Sequence, residues 1–269
     1  MLSPNNHDDE IHLAGGRGGE GWISARGLVV DYRLPDGNAL RAVQDVSFDV
    51  PLGSRVAIVS PSGCGKSTIL KVLVGLIQPT SGSVSYHHMS VEAARNQRLF
   101  GFVPQHLALL PWWTVAQNIA LPLQLGGNKK QASVEPMIEL FGLTGFAQYY
   151  PAQLSGGMRS RVAVARALIN SPEILVLDEC FGSLDELTRE RLNLELSPMW
   201  HRLGTTLIFV THSVREAVLL ADRVIVLSAR PGTVVGTLQV DGPQPRHADF
   251  QETPGFAEAV VRIRRMLGL

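Results

Sequence analysis

The sequence has little that would carry it out of a reducing, aqueous compartment. Two cysteines, Cys64 and Cys180, in 269 residues cannot form a disulfide framework. No stretch reaches the roughly 18 unbroken apolar residues that a bilayer-spanning helix requires. Met1 to Glu10 is polar and acidic, so the basic and apolar segments of a secretory signal are both missing. An excess of one charge is missing too, because 24 basic residues face 24 acidic ones. Without a net field, nothing draws the chain to nucleic acid at long range. No internal repeat is present, so one copy of whatever site the chain holds is expected. The expectation is a chain that is soluble by itself, in the cytosol.

What is present is a 45% apolar composition, enough for one large core. Residues 1–22, with the Gly15–Gly21 cluster, read as a mobile tail. Strands are expected at Gly27–Tyr32, Val46–Val50 and Arg55–Ser60, separated by Leu34-Pro-Asp-Gly-Asn38 and Pro51-Leu-Gly53. A helix over Lys66–Leu76 and short strands at Ser83–Tyr86 and Leu99–Val103 follow. Next comes a helical stretch from Thr114 to Leu143, broken at Gly126-Gly127, and a helix over Gly157–Asn170. Beyond it strands and helices alternate: Ile174–Leu177, Leu187–Leu203, Thr206–Val210, Val214–Ala221 and Val224–Leu227. Short apolar runs alternating with helices predict a mostly parallel sheet covered on both faces, an α/β fold. Residues 23–240 form the expected domain, and 241–269 an extension with a terminal helix, too short for a regulatory domain.

Ser60-Pro-Ser-Gly-Cys-Gly-Lys-Ser-Thr68 lies between a strand and a helix, the setting of a phosphate-binding P-loop. Gly63 and Gly65 let successive N–H groups of Ser62, Gly63, Cys64 and Gly65 curl around phosphate oxygens. Lys66 adds a point charge at the β- and γ-phosphates, reinforced by the helix start. Ser67 offers a hydroxyl to Mg²⁺, with Thr68 beside it. Ser60 replaces the first glycine of the pattern, and a small backbone penalty is expected there. Further on, Ile174-Leu-Val-Leu-Asp-Glu179 is an apolar strand ending in two carboxylates. Asp178 is placed to hold Mg²⁺ through water, and Glu179 to polarise the water that attacks the γ-phosphate.

Between these motifs stands Leu154-Ser-Gly-Gly-Met158, which resembles the signature of the ABC ATPase family. By itself it is an N-cap opening a helix, with an anion-binding backbone. The resemblance implies a P-loop NTPase fold with an N-terminal antiparallel β subdomain and an inserted helical lobe, about 106–156. It implies a head-to-tail pair of ATPase subunits, a homodimer, with ATP and Mg²⁺ at each site. One subunit would supply Lys66 and Glu179, and the other Ser155, Gly156 and Gly157. Gln105, in Phe102-Val-Pro-Gln105, looks like the Q-loop glutamine, a Mg²⁺ and water ligand. Asp185, in Gly182-Ser-Leu-Asp185, looks like the D-loop residue that crosses the interface. His212 looks like the switch histidine that contacts the γ-phosphate. Tyr32 looks like the aromatic platform for adenine, and taken alone also reads as a core or edge-strand tyrosine.

Three departures from the family pattern bear on turnover and coupling. Ser160 stands for glutamine, Cys180 for proline and Ser213 for aspartate. Leu109-Leu-Pro-Trp-Trp-Thr-Val115, Ser228-Ala-Arg-Pro-Gly232 and Pro243–Arg246 resemble the branch serving nitrate, sulfonate, taurine and related importers. That branch implies transmembrane permease subunits, an extracytoplasmic substrate-binding protein, and a place on the cytoplasmic face of the inner membrane. Trp112 and Trp113 read either as interface anchors or as packing inside the lobe. The final helix puts Phe256, Val260, Ile263 and Leu267 on one face; a lid docked on the domain and a lipid contact through its arginines both fit. His87-His88 reads as a surface loop, because no third metal ligand is near. Cys64 lies inside the P-loop, where bound nucleotide is expected to shield it. A Cys64–Cys180 disulfide would need close Cα atoms. A soluble ABC ATPase without a transport role and a catalytically weakened nucleotide-sensing regulator remain as alternatives.

Overall fold

The computed structural model describes residues 22–61, 63–126, 133–182 and 184–269. The expected tail therefore lies outside the described residues, Trp22 excepted, as does Ser62 of the P-loop. The chain opens with an antiparallel hairpin, β1 (Ile23–Arg33) and β2 (Ala39–Val50). Its turn is the one the sequence announces. Gly37 takes φ +87°, and the Asn38 N–H donates to Asp36 Oδ1 at 3.0 Å. Both strands are longer than expected. Gly27 (φ +56°) and Asp45 (φ +49°) sit at shifts of the hairpin register, so they mark bulges inside strands rather than strand ends.

Strand β3 (Arg55–Val59) leads into helix α1 (Lys66–Leu73), which stops short of the expected Leu76. Then come β4 (Ser81–Tyr86), β5 (Met89–Ser90), α2 (Val91–Asn96) and β6 (Phe100–Val103). The pair β5 and α2 went unread because two and six residues are too few to show a period. The four-stranded sheet runs β2-β1-β4-β5 and is antiparallel throughout. Helices α3 (Val115–Gln124) and α4 (Val134–Leu140) fall within 106–156 and α3 packs on α5 (Gly156–Leu168), and the break at Gly126 (φ +93°) is where the sequence placed it.

The rest alternates: β7 (Ile174–Asp178), α6 (Glu186–Leu203), β8 (Thr206–Thr211), α7 (Val214–Leu220) and β9 (Arg223–Leu227). Strand β10 (Val234–Gln239) and α8 (Pro254–Met266) complete the chain. The second sheet has the order β10-β9-β3-β8-β7-β6, and its only antiparallel pair is β9 with β10. β3 is buried on both faces, as a central parallel strand must be. Val56 and Ile58 join a core shared with α1 and the hairpin, while Ala57 and Val59 join one shared with α5, α6 and α7. Each buried Val or Ile side chain here contributes about 1.5–3 kcal/mol. Two cores thus clamp one strand, and the loop leaving that strand is held from both sides.

The terminal helix behaves as the docked lid. Phe256 and Ile263 are buried, Val260 and Leu267 half-buried, and Arg262, Arg264 and Arg265 exposed. In the lobe, Asn118 is fully buried and organises the Leu109–Val115 segment. Its Nδ2 donates to the carbonyls of Leu110, Trp113 and Thr114, and its Oδ1 accepts from the Leu110 N–H at 2.8 Å. That lock leaves Trp112 67% exposed and Trp113 half-buried. Among the described residues no helix is long and apolar enough to cross a membrane.

Candidate nucleotide site

The loop between β3 and α1 takes the backbone its glycines allow. Gly63 has φ +75° and Gly65 φ +102°, both in the left-handed region. A Cβ on Gly65 would stand 2.7 Å from the Ala42 carbonyl oxygen, so only glycine fits against β2. Ser60 is not among the described residues with positive φ, which removes the penalty expected for it. It is buried, and its hydroxyl meets the Cys64 thiol in a short contact. Cys64 is itself 1% exposed, so bound nucleotide has almost nothing left to shield, contrary to expectation. Both thiols are free. Burial pushes the Cys180 thiol well above its usual range, with the Glu216 carboxylate adding to the effect.

Lys66 is nearly buried. Its Nζ donates to the carbonyls of Ser60 and Pro61, each at 3.2 Å, and lies 3.6 Å from Glu179 Oε1. The Ser67 hydroxyl donates to Asp178 Oδ1 at 2.9 Å, and Gln105 Nε2 donates to Glu179 Oε2 at 3.3 Å. Residues from the P-loop, the end of β7 and the segment after β6 therefore converge. Burial raises the Asp178 carboxyl above its ordinary range, more than the Ser67 hydroxyl lowers it. Glu179 holds φ +44°, a conformation that side chains disfavour and that clusters at functional sites. Tyr32 reaches the same helix: its hydroxyl is 3.0 Å from Thr68 Oγ1, and the residue is 38% exposed.

Ser155, Gly156 and Gly157 have other neighbours. Ser155 caps α5, accepting from the Met158 N–H at 3.2 Å. A Cβ on Gly156 would stand 2.9 Å from Leu184, and one on Gly157 3.9 Å from Thr188, so this turn lies against those two residues. Asp185 caps α6, accepting from the Thr188 N–H at 2.9 Å, and that bond lowers its carboxyl. His212 is exposed, with Nε2 3.4 Å from Arg189 Nη1, and it lines one recess with Glu179 and Gly182. Ser160 and Cys180, read separately in the sequence, are partners: the buried Ser160 hydroxyl donates to the Cys180 carbonyl at 2.8 Å. Ser213 caps α7, accepting from the Glu216 N–H at 3.3 Å. His87 stacks on Trp22 at 4.6 Å, and among the described residues no cluster of His, Cys, Asp or Glu is set to hold a metal by itself.

Glu216 was missed. Ser213-x-x-Glu216 looks like an ordinary helix start, yet the Glu216 side chain turns inward. It is buried, accepting from Asn193 Nδ2 at 3.1 Å and, in a short contact, from the Thr211 hydroxyl. Thr211 Oγ1 in turn accepts from the Ser213 N–H at 3.0 Å, which fixes the backbone around His212. Burial raises the Glu216 carboxyl above its ordinary value of 4.5, against the pull of Thr211 and Asn193. A carboxyl held above its unfolded value stabilises the fold fully below that value, and the contribution is lost as pH rises through the folded one. Stability should therefore decline above about pH 4.5 through this group, and Glu216→Gln should flatten that limb. Thermal melts of both proteins across pH test it; parallel curves would show that Glu216 is not the group responsible.

The family model described as "ABC transporter" matches residues 43–182. An ABC transporter ATP-binding protein of Methanocaldococcus jannaschii is 42% identical over 85% of the chain and 86% of its own length. A taurine import ATP-binding protein of a Jannaschia species is 34% identical over 91% and 93%. A nitrate import ATP-binding protein of Synechococcus elongatus is 40% identical over 84% of the chain, which spans 35% of that longer protein. Among solved structures, a dimeric ATP-binding cassette in a post-hydrolysis state with ADP and Pi matches with a TM-score of 0.71 and 29% identity. That match covers 82% of this chain and all of the other.

Proposed function

Because the chain belongs to the ABC transporter family and is an ATP-binding ATPase of that family, we propose that it is the motor of a small-solute importer. The observation that carries this is the convergence of Lys66, Ser67, Gln105, Asp178 and Glu179 on one spot, while the turn at Gly156 and Gly157 lies against Leu184 and Thr188 instead. A site so divided is complete only when a second copy presents Ser155, Gly156 and Gly157 to the phosphates. Lys66 and the loop N–H groups hold the β- and γ-phosphates, and the ring of the exposed Tyr32 offers a stacking surface for adenine. Glu179 polarises the attacking water, and His212 meets the γ-phosphate from the end of β8.

The Ser67 hydroxyl, Asp178 carboxylate and Gln105 amide make an all-oxygen donor set, which suits Mg²⁺. Bound there, the ion would offset the negative charge of the phosphates. Similarity to taurine, nitrate and bicarbonate import proteins supports a small solute bearing an oxyanion group. It also supports permease partners, a substrate-binding protein, and a place on the cytoplasmic side of the membrane. Trp112, exposed on the lobe, suits a permease contact as an aromatic anchor. The departures that suggested a weakened regulator have local partners instead: Ser160 holds the Cys180 carbonyl, and Ser213 caps α7.

The divided site is tested in mixed pairs. A Lys66→Ala chain cannot hold ATP on its own loop, so a photoreactive γ-phosphate analogue should label its Ser155–Gly157 turn only when wild-type chain is added. Labelling that instead requires the chain's own Lys66 would refute the arrangement.

A further inference from the structure

Ser228–Gly232 has so far served only as a mark of family branch, yet it packs against the phosphate loop. Arg230 Nε and Nη2 both donate to the Gly63 carbonyl, at 2.9 and 2.6 Å. Two residues on, a Cβ on Gly232 would stand 2.3 Å from the Cys64 carbonyl oxygen, so the bare backbone of Gly232 lies directly against it. Gly232 is itself spliced into β2: its N–H donates to the Ala42 carbonyl and its carbonyl accepts from the Gln44 N–H, each at 3.0 Å. Ser228 sets the turn, its hydroxyl accepting from the Thr233 N–H at 3.0 Å and donating to the Pro231 carbonyl at 3.0 Å. Ser228, Arg230 and Gly232 of the motif thus each have a partner.

A trans peptide unit is planar, and its C=O and N–H point in opposite directions. Gripping the Gly63 oxygen on the outside therefore sends the Cys64 N–H inward. Packing Gly232 on the Cys64 oxygen does the same for the Gly65 N–H. The bond to Gly63 is charge-assisted, so it also polarises the peptide and strengthens its N–H as a donor. We propose that Arg230 is a positioning residue for nucleotide: its guanidinium, with Gly232 beside it, aims two successive P-loop N–H groups into the phosphate cradle. The inference rests on the reading of this loop as the ATP site. Arg230 is exposed and belongs to neither core, so its loss spares the fold.

The test uses the full chain and a fluorescent ATP analogue with Mg²⁺, followed by steady-state hydrolysis in the complex with its permease. Arg230→Ala should weaken nucleotide binding about tenfold, the scale of one charge-assisted hydrogen bond. The loss should fall mainly on KM rather than kcat, Arg230→Lys should restore part of it, and Tm should stay within about 1 °C. Gly232→Ala should weaken binding at least as much, by pushing on the Cys64 carbonyl. Unchanged affinity in Arg230→Ala, with binding abolished in Lys66→Ala, would overturn the proposal and leave the ATP site standing. If Lys66→Ala also binds normally, the ATP-site reading itself fails. A fall in Tm that accounts for the lost affinity would make Arg230 a structural strap and overturn the positioning role.

Discussion

Replacing Glu179 by glutamine is expected to cut phosphate release by about 10²-fold or more, the scale of general-base effects, while MgATP still binds. The carboxylate has two neighbours, Lys66 Nζ at 3.6 Å and Gln105 Nε2 at 3.3 Å. Glutamine keeps the shape and one carbonyl oxygen, but it cannot accept a proton from water. The phosphate loop does not depend on that oxygen, because Lys66 is also held by the carbonyls of Ser60 and Pro61. The variant should consequently accumulate as an ATP-bound pair. Single-turnover phosphate release together with equilibrium nucleotide binding decides the matter. A variant that still hydrolyses at half the wild-type rate would remove Glu179 from the chemistry.

The second large effect concerns stability. Arg246 is fully buried, with Nη1 donating to the carbonyls of Val218, at 3.0 Å, and Ala221, and Nη2 to Val240, at 2.7 Å. Its guanidinium lies 4.8 Å from the centre of the Phe250 ring. Burial holds its pKa down at about 10, so it stays charged at neutral pH. This one side chain satisfies the C-terminal carbonyls of α7 and ties them to the segment after β10 and to Phe250 of the extension. Arg246→Ala would strand those carbonyls and open a void. The expected cost is about 3–5 kcal/mol, or roughly 10 °C in Tm for a chain of this size. A melt within about 1 °C of wild type would show that α7 and the extension hold without it.

The site was legible in the sequence where its residues are neighbours in the chain. Ser60–Thr68 and Asp178-Glu179 carry their geometry locally, through glycine backbone and strand ends, and both were found. That β3, β7, β8 and β9 run parallel was legible as well, though not their order in the sheet, since runs buried on two faces are mostly apolar. Contacts between distant positions were not. Arg230 meets Gly63 across 167 positions, and neither residue's surroundings in sequence announce the other. Ser160 and Cys180 looked like two unrelated losses and are one hydrogen bond. Glu216 was hidden because a helix-start pattern says nothing about which way a side chain turns. The bulges at Gly27 and Asp45 hid the true length of the hairpin, because a glycine inside a strand looks like its end.

The bond from Ser160 to Cys180 gives the fold a lever. Ser160 sits on α5, whose first turn is the one that Ser155 caps, and Cys180 follows Glu179 directly. Through that short strut, a shift of the segment bearing the carboxylate would reach α5 one turn from the Ser155 cap. In the proposed pair, the nucleotide held by one chain would thereby bear on the turn that chain presents to its twin.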